Sequence, residues 1–158
     1  MQFEDRQACT HPAIADCDNL EDFAFVQDFV REAVAFRPWR IANRSALFAY
    51  VSSLGNESRE WLLAFYVDAD LNLLAVKTVA CGSASDVEVD FGAIFHYGFE
   101  LSARGFVLVH NHPSGDAMPS KADIEVTRRM RHISTELNIP LLDHLIVAGA
   151  QMRPIGFW

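Results

Sequence analysis

His110 and His112 close a short apolar run, Phe106 to Val109, and Ser120 and Asp123 follow just past the turn residues Pro113, Ser114 and Gly115. The run is partly β-branched and begins after Gly105, so it reads as a buried strand rather than a helix. Side chains two apart on an extended segment point to the same side. The two imidazoles can therefore present ring nitrogens to one point, while Asn111 faces away. Pro119-Ser120 opens a new element, in which Ala122, Val126, Met130, Ile133 and Leu137 recur at helical spacing. A helix starting near Ser120 can fold its first turn back onto the strand end and bring the Asp123 carboxylate towards the imidazoles. Two neutral nitrogens and one carboxylate oxygen suit Zn2+. Three protein ligands leave a fourth tetrahedral position open for water, which is the arrangement of a catalytic ion.

Ser120-Lys121-Ala122-Asp123 also fits a capping box, with Ser120 accepting from a first-turn amide and Asp123 favoured by the helix dipole. Capping explains Ser120 and Asp123 without any metal, and both roles can hold at once. It does not explain two histidines at the mouth of an apolar strand.

The string His110-Asn111-His112-Pro113-Ser114-Gly115, then Pro119-Ser120 and Asp123, resembles the JAMM (MPN+) metalloprotease motif. With Asp143-His144-Leu145-Ile146-Val147 downstream, it resembles the bacterial RadC-like JAB branch, over roughly residues 44 to 149 or about two-thirds of the chain. The resemblance implies that His110, His112 and Asp123 are zinc ligands, that Ser120 steadies a developing oxyanion, and that an upstream glutamate is the base. Glu60 is the best candidate base. It opens the apolar run Glu60 to Val67, where a solvated carboxylate otherwise has little reason to be, and the RadC-like pattern has its glutamate there; Glu57 is the runner-up. The implied fold is the cytidine-deaminase-like JAMM architecture. Deamination itself is not implied, because the H-x-E and P-C-x-x-C signature is absent. RadC-like proteins often carry a helix-hairpin-helix module ahead of the catalytic domain. Its glycine-bearing hairpin is not found in this sequence, which marks a short form and weakens a DNA role.

The elements that must position these residues can be read along the chain. Residues 1–19 read as an irregular arm, and 20–158 as a single domain with its core at about 44–149. Leu20 to Phe36 keeps three- and four-residue apolar steps and predicts an amphipathic helix. A second helix is expected from about Ser45, its cap, to Leu54, with Gly55 ending it. Glu60 to Val67 and Leu73 to Ala80 predict two antiparallel strands joined by Asp68 to Asn72. An acidic, extended linker from Asp86 to Asp90 leads into a helix from Phe91 to Ala103. Asn138-Ile139-Pro140 ends the helix that starts near Ser120, and Leu141 to Ala148 forms a last buried strand. This alternation predicts an α/β (α+β) domain with one mixed sheet flanked by helices.

Other candidates carry less. Cys9, His11 and Cys17 match no common zinc module and lack a fourth ligand. Cys81 reads as a small buried hydrophobe rather than a nucleophile. His96 and Glu100 fall four apart on a helix, where a solvent-facing or packing role is expected. Asp143 and His144 could orient a ligand imidazole or only cap the sheet. Phe157 and Trp158 could cover an exposed edge or dock on a second subunit, as in a homodimer.

Thirteen basic against twenty-one acidic residues give a net charge of −8, which repels phosphate backbones in the absence of a basic run. No apolar run approaches the length of a membrane span, and the three scattered cysteines with no leader-like start predict a cytoplasmic protein. The expected function is zinc-dependent cleavage of a peptide or isopeptide amide bond, with Glu60 passing a proton to the leaving amine. Two alternatives belong to other classes: a DNA repair or recombination factor, and a metal-stabilised interaction module without catalysis.

Overall fold

The computed structural model describes residues 44–82 and 89–156. The expected arm, the helix at Leu20 to Phe36, the residues Cys9, His11 and Cys17, most of the Asp86 to Asp90 linker, and Phe157 with Trp158 lie outside the described residues.

The elements are helix α1 (Arg44–Val51), a 3-10 turn (Ser52–Asn56), strands β1 (Glu60–Val67) and β2 (Leu73–Gly82), helix α2 (Phe91–Glu100), strand β3 (Gly105–Asn111), helix α3 (Lys121–Glu136), and strands β4 (Leu141–Ala148) and β5 (Gln151–Pro154). The strands form one mixed sheet in the order β2-β1-β3-β4-β5. β1 is antiparallel to both β2 and β3, β3 and β4 run parallel, and β5 returns antiparallel to β4. This is an α+β domain, and among the described residues its one parallel pair, β3 with β4, is bridged by α3.

Period-two alternation divides the strands between two cores. Trp61, Leu63 and Phe65 of β1 join Val107, Val109, Leu145 and Val147 beneath α1. Leu62, Ala64 and Tyr66 join Phe106, Leu108, Ile94 and Met130 on the face that carries α2 and α3. Nearly every residue of β1 and β3 is buried because both faces are covered. Burying each large apolar side chain contributes about 1.5–3 kcal/mol. His110 falls on the face of Phe106 and Leu108, so alternation alone aims it at α3.

Several boundaries differ from the sequence reading. Helix α1 is already under way at Arg44, so Ser45 lies inside it rather than capping it. The chain then tightens into the 3-10 turn instead of ending at Gly55. Gly55 is pressed against Gly149 and accepts its N–H at 2.8 Å; a Cβ on Gly55 would lie 2.5 Å from the Gly149 carbonyl oxygen. Strand β2 runs on to Gly82 because it keeps pairing up to Glu60. Helix α2 begins at the Asp90 cap, whose carboxylate accepts the Ala93 N–H at 3.0 Å, and it stops at Glu100. Ser102 turns left-handed there, at φ 52°, and Ala103 bonds back to Gly98. β4 is not the last strand, since β5 adds an edge beyond it.

The buried line of α3 departs furthest from the apolar stripe. It runs through Thr127, Met130 and Ser134, whereas Ala122 and Leu137 are exposed. Two hydroxyls serve on this face because each has a partner. Ser134 accepts the Leu141 N–H at 3.1 Å, fastening the helix to the start of β4. Thr127 bonds both to the Asp123 carbonyl and to His144.

Candidate metal centre

Glu60, His110, His112 and Asp123 each offer a ligand atom, and these atoms all lie within 4.8 Å of one another. The four residues come from three elements. His110 is the penultimate residue of β3, and His112 follows one step past its end. β1 and β3 pair Leu62 with His110, so continuing the antiparallel register sets Glu60 across from His112. Asp123 is the third residue of α3.

The local chain explains each placement. Pro113 and Ser114 turn the backbone, and the Gly115 N–H closes the turn on the His112 carbonyl at 3.1 Å, with Gly115 left-handed at φ 80°. The turn brings the Asp116 carbonyl back to the His112 ring, 2.8 Å from Nδ1. A carbonyl can only accept, so Nδ1 of neutral His112 carries the proton and Nε2 presents a bare lone pair. The capping box is complete: Ser120 Oγ accepts the Asp123 N–H at 3.1 Å, and the Ser120 N–H donates to Asp123 Oδ2 at 2.7 Å. That box holds the Asp123 carboxylate at the helix start, facing the imidazoles.

His110 Nε2 and His112 Nε2 are 3.0 Å apart, and Asp123 Oδ1 and Oδ2 lie 3.2 and 3.4 Å from them respectively. Ligands about 2.05 Å from a tetrahedral ion sit about 3.3 Å from one another, so the observed spacing fits a metal. The donor set of nitrogen and carboxylate oxygen suits a borderline divalent cation. The cluster can hold a metal ion.

Burial raises the Asp123 carboxyl, but the adjoining His110 ring and the Ser120 hydrogen bonds outweigh it, and Asp123 stays below the usual carboxylate range. Glu60 moves the other way. Burial lifts it above the usual range, against the pull of His110 and His112 and with a smaller push from Asp123. Two carboxyls in one site are thus driven apart, the more acidic one beside the histidines and the more basic one at the strand mouth. A cleft of about 500 Å³ opens over them, lined also by Leu62, Met118, Ser120 and Val126. Ser120 Oγ is engaged as an acceptor, which leaves its proton available to a group in that cleft. Glu57 is not among the four clustered residues.

Two neighbours of the cluster were not legible as such. Asn111 does face away from the metal side, but it is fully buried and joined to β1: its Oδ1 accepts the Trp61 N–H at 2.8 Å, and its Nδ2 donates to the Arg59 carbonyl at 2.8 Å. It therefore pins the residues that flank Glu60. Thr127 lies one helical turn after Asp123 on the same face, a spacing that could have drawn attention to it. Of the pair Asp143 and His144, alternation sends His144 to the site, with its Nε2 2.8 Å from His110 Nδ1. The Asp143 carboxylate instead accepts the N–H of its own neighbour, His144, at 3.0 Å. His96 and Glu100 meet at 3.4 Å on the exposed face of α2, away from the cluster. Cys81 is buried in the core beneath α1.

A family model described as a RadC-like JAB domain matches residues 41–154, which takes in every residue of this site. The chain belongs to the RadC-like JAB domain family. Similar RadC-like relatives include a UPF0758 protein of Streptococcus thermophilus, 39% identical over 60% of this chain and 41% of the relative. Another, from Latilactobacillus sakei, is 36% identical over 64% of this chain and 45% of its own length. A third, from Bordetella petrii, is 39% identical over 63% of this chain and 44% of its own. The chain thus spans under half the length of the curated relatives it matches, and their names state no activity. Among the described residues of this RadC-like JAB domain, no helix is long and apolar enough to cross a membrane.

Proposed function

We propose that this RadC-like JAB domain is a zinc-dependent hydrolase that cleaves a peptide or isopeptide amide bond in a peptide or protein substrate. The observation that carries the reading is the convergence of two imidazole nitrogens and one carboxylate, at tetrahedral spacing, in an open cleft beside a carboxyl that burial raises above its usual range.

His110, His112 and Asp123 would hold the ion. When bound, zinc supplies Lewis acidity, which acidifies water to a pKa of about 7 and polarises a carbonyl. Glu60 lies within reach of the same point without belonging to the His–His–Asp triangle. Its raised affinity for a proton suits a group that takes one from water and returns it to the leaving amine. The Ser120 hydroxyl, its oxygen fixed by the Asp123 N–H, can donate to the oxyanion of a tetrahedral intermediate. The cleft offers the apolar walls Leu62 and Val126 to a substrate side chain.

Protein purified without chelator should carry about one zinc per chain and release amine from a broad peptide library, with both lost after chelation. His110→Ala should lose the metal; zinc content equal to the parent's would exclude these ligands. Full zinc loading with no cleavage over the library would instead favour a metal-stabilised interaction module.

A further inference from the structure

The ring of His110 is engaged on its far side as well, through a buried chain of hydrogen bonds whose directions are set by a main-chain carbonyl. Thr127 Oγ1 lies 2.6 Å from the Asp123 carbonyl oxygen, which can only accept, so the single hydroxyl proton points there. Oγ1 therefore meets His144 Nδ1, 2.7 Å away, as an acceptor, and that nitrogen carries a proton. His144 is 1% exposed, and burial at that depth favours the uncharged ring. Its Nε2 is then bare and accepts from His110 Nδ1 at 2.8 Å. His110 is left with a bare Nε2, aimed at the point it shares with His112 Nε2 and Asp123 Oδ1.

We propose that His144 and Thr127 are positioning residues of the metal centre: together they commit His110 to its Nδ1–H tautomer and tie its ring to the helical turn that carries Asp123. This rests on reading His110 and Asp123 as ligands. The opposite tautomer would aim an N–H at the cluster and block that ligand position. The chain starts on β3, crosses to β4 and ends on α3, so it links two ligand residues through neither of their ligand atoms. Plain packing would not call for these side chains. The residues that follow on β4, Leu145 to Ala148, are all buried and apolar, and Thr127 shares its helix face with Met130.

Thr127→Val keeps the shape and removes the acceptor of the His144 proton. Zinc affinity, measured by competition with a chromophoric chelator, should fall about 10–100-fold, as for other groups that orient a ligand from behind. Thr127→Ser restores the hydroxyl and should recover most of that loss, which a purely steric role would not predict. Thr127→Val binding zinc as tightly as the parent overturns the proposal. A second measurement needs neither variant nor metal: nitrogen-15 spectra of the histidines in the metal-free parent, at mildly alkaline pH, should show His110 and His144 as Nδ1–H tautomers. An Nε2–H His110 overturns the proposal whatever the affinities. A parent that binds no zinc defeats the ligand assignment instead, and the tautomers then still decide whether the chain itself is correctly drawn.

Discussion

The side-chain oxygen of Asn111 accepts the backbone N–H of Trp61 at 2.8 Å, so the strand that carries His110 holds the strand that begins with Glu60 through a side chain rather than a ladder bond. The amide's other end donates to the Arg59 carbonyl, which brackets Glu60 between two fixed residues. Asn111→Ala leaves a buried N–H and a carbonyl unsatisfied. It should cost about 1–3 kcal/mol in urea unfolding. Zinc content should persist, because the three proposed ligands keep their own supports, while hydrolysis should fall as Glu60 loses its placement. Loss of stability with full hydrolysis per folded molecule would confine Asn111 to a structural role.

Glu60→Gln keeps size and removes the base, so zinc should stay and hydrolysis should fall by about two to four powers of ten. Loss of zinc would make Glu60 a ligand; loss of neither would move the base elsewhere, with Glu57 the next residue to change. The folded carboxyl is raised by burial, so the folded chain binds this proton more tightly than the unfolded chain. That contribution to stability is present below the ordinary glutamate value and is lost as pH rises through the folded value. At neutral pH the metal-free Gln variant should therefore be no less stable than the parent.

Ser120 is asked to cap a helix and to donate to an oxyanion, and two substitutions separate the tasks. Ser120→Ala should lower stability by about 1 kcal/mol through loss of the cap. Ser120→Asp keeps a capping oxygen but removes the hydroxyl proton, so stability should be largely retained while hydrolysis falls by about 10²–10³ in kcat. An Asp variant as active as the parent would leave Ser120 with its cap alone.

The acidic balance of the chain makes a prediction about nucleic acid. With a net charge of −8, binding to plain duplex DNA at physiological salt should be no tighter than ordinary non-specific binding, a Kd of about 10⁻⁴–10⁻⁶ M or weaker. Titration with labelled duplex at two salt concentrations checks it. A tight, salt-sensitive complex would put the repair or recombination reading ahead of peptide cleavage.

What the sequence by itself determined is what short-range geometry dictates. His110 and His112 share a side because a strand repeats every two residues, and Asp123 meets the helix start because a capping box spans only three. The turn through Pro113, Ser114 and Gly115 is equally local, and the strands β1 to β4 were legible because their apolar runs are long and bounded by turn residues. The edge strand β5 was missed: its alternating Gln151, Met152, Arg153 and Pro154 make only a short, half-exposed pattern.

Only the tertiary structure decided which distant residues complete the site. Glu60 reaches the histidines through a β1–β3 register set by packing on both faces of the sheet, and no local spacing encodes that register. Thr127 and Ser134 lie off the apolar stripe of α3, and hydrophobic periodicity counts a hydroxyl as polar whether or not a partner awaits it. The choice between Asp143 and His144 depended on which face of β4 meets α3. That is settled by the parallel pairing of β4 with β3, a contact between segments more than thirty residues apart, such as His110 and His144.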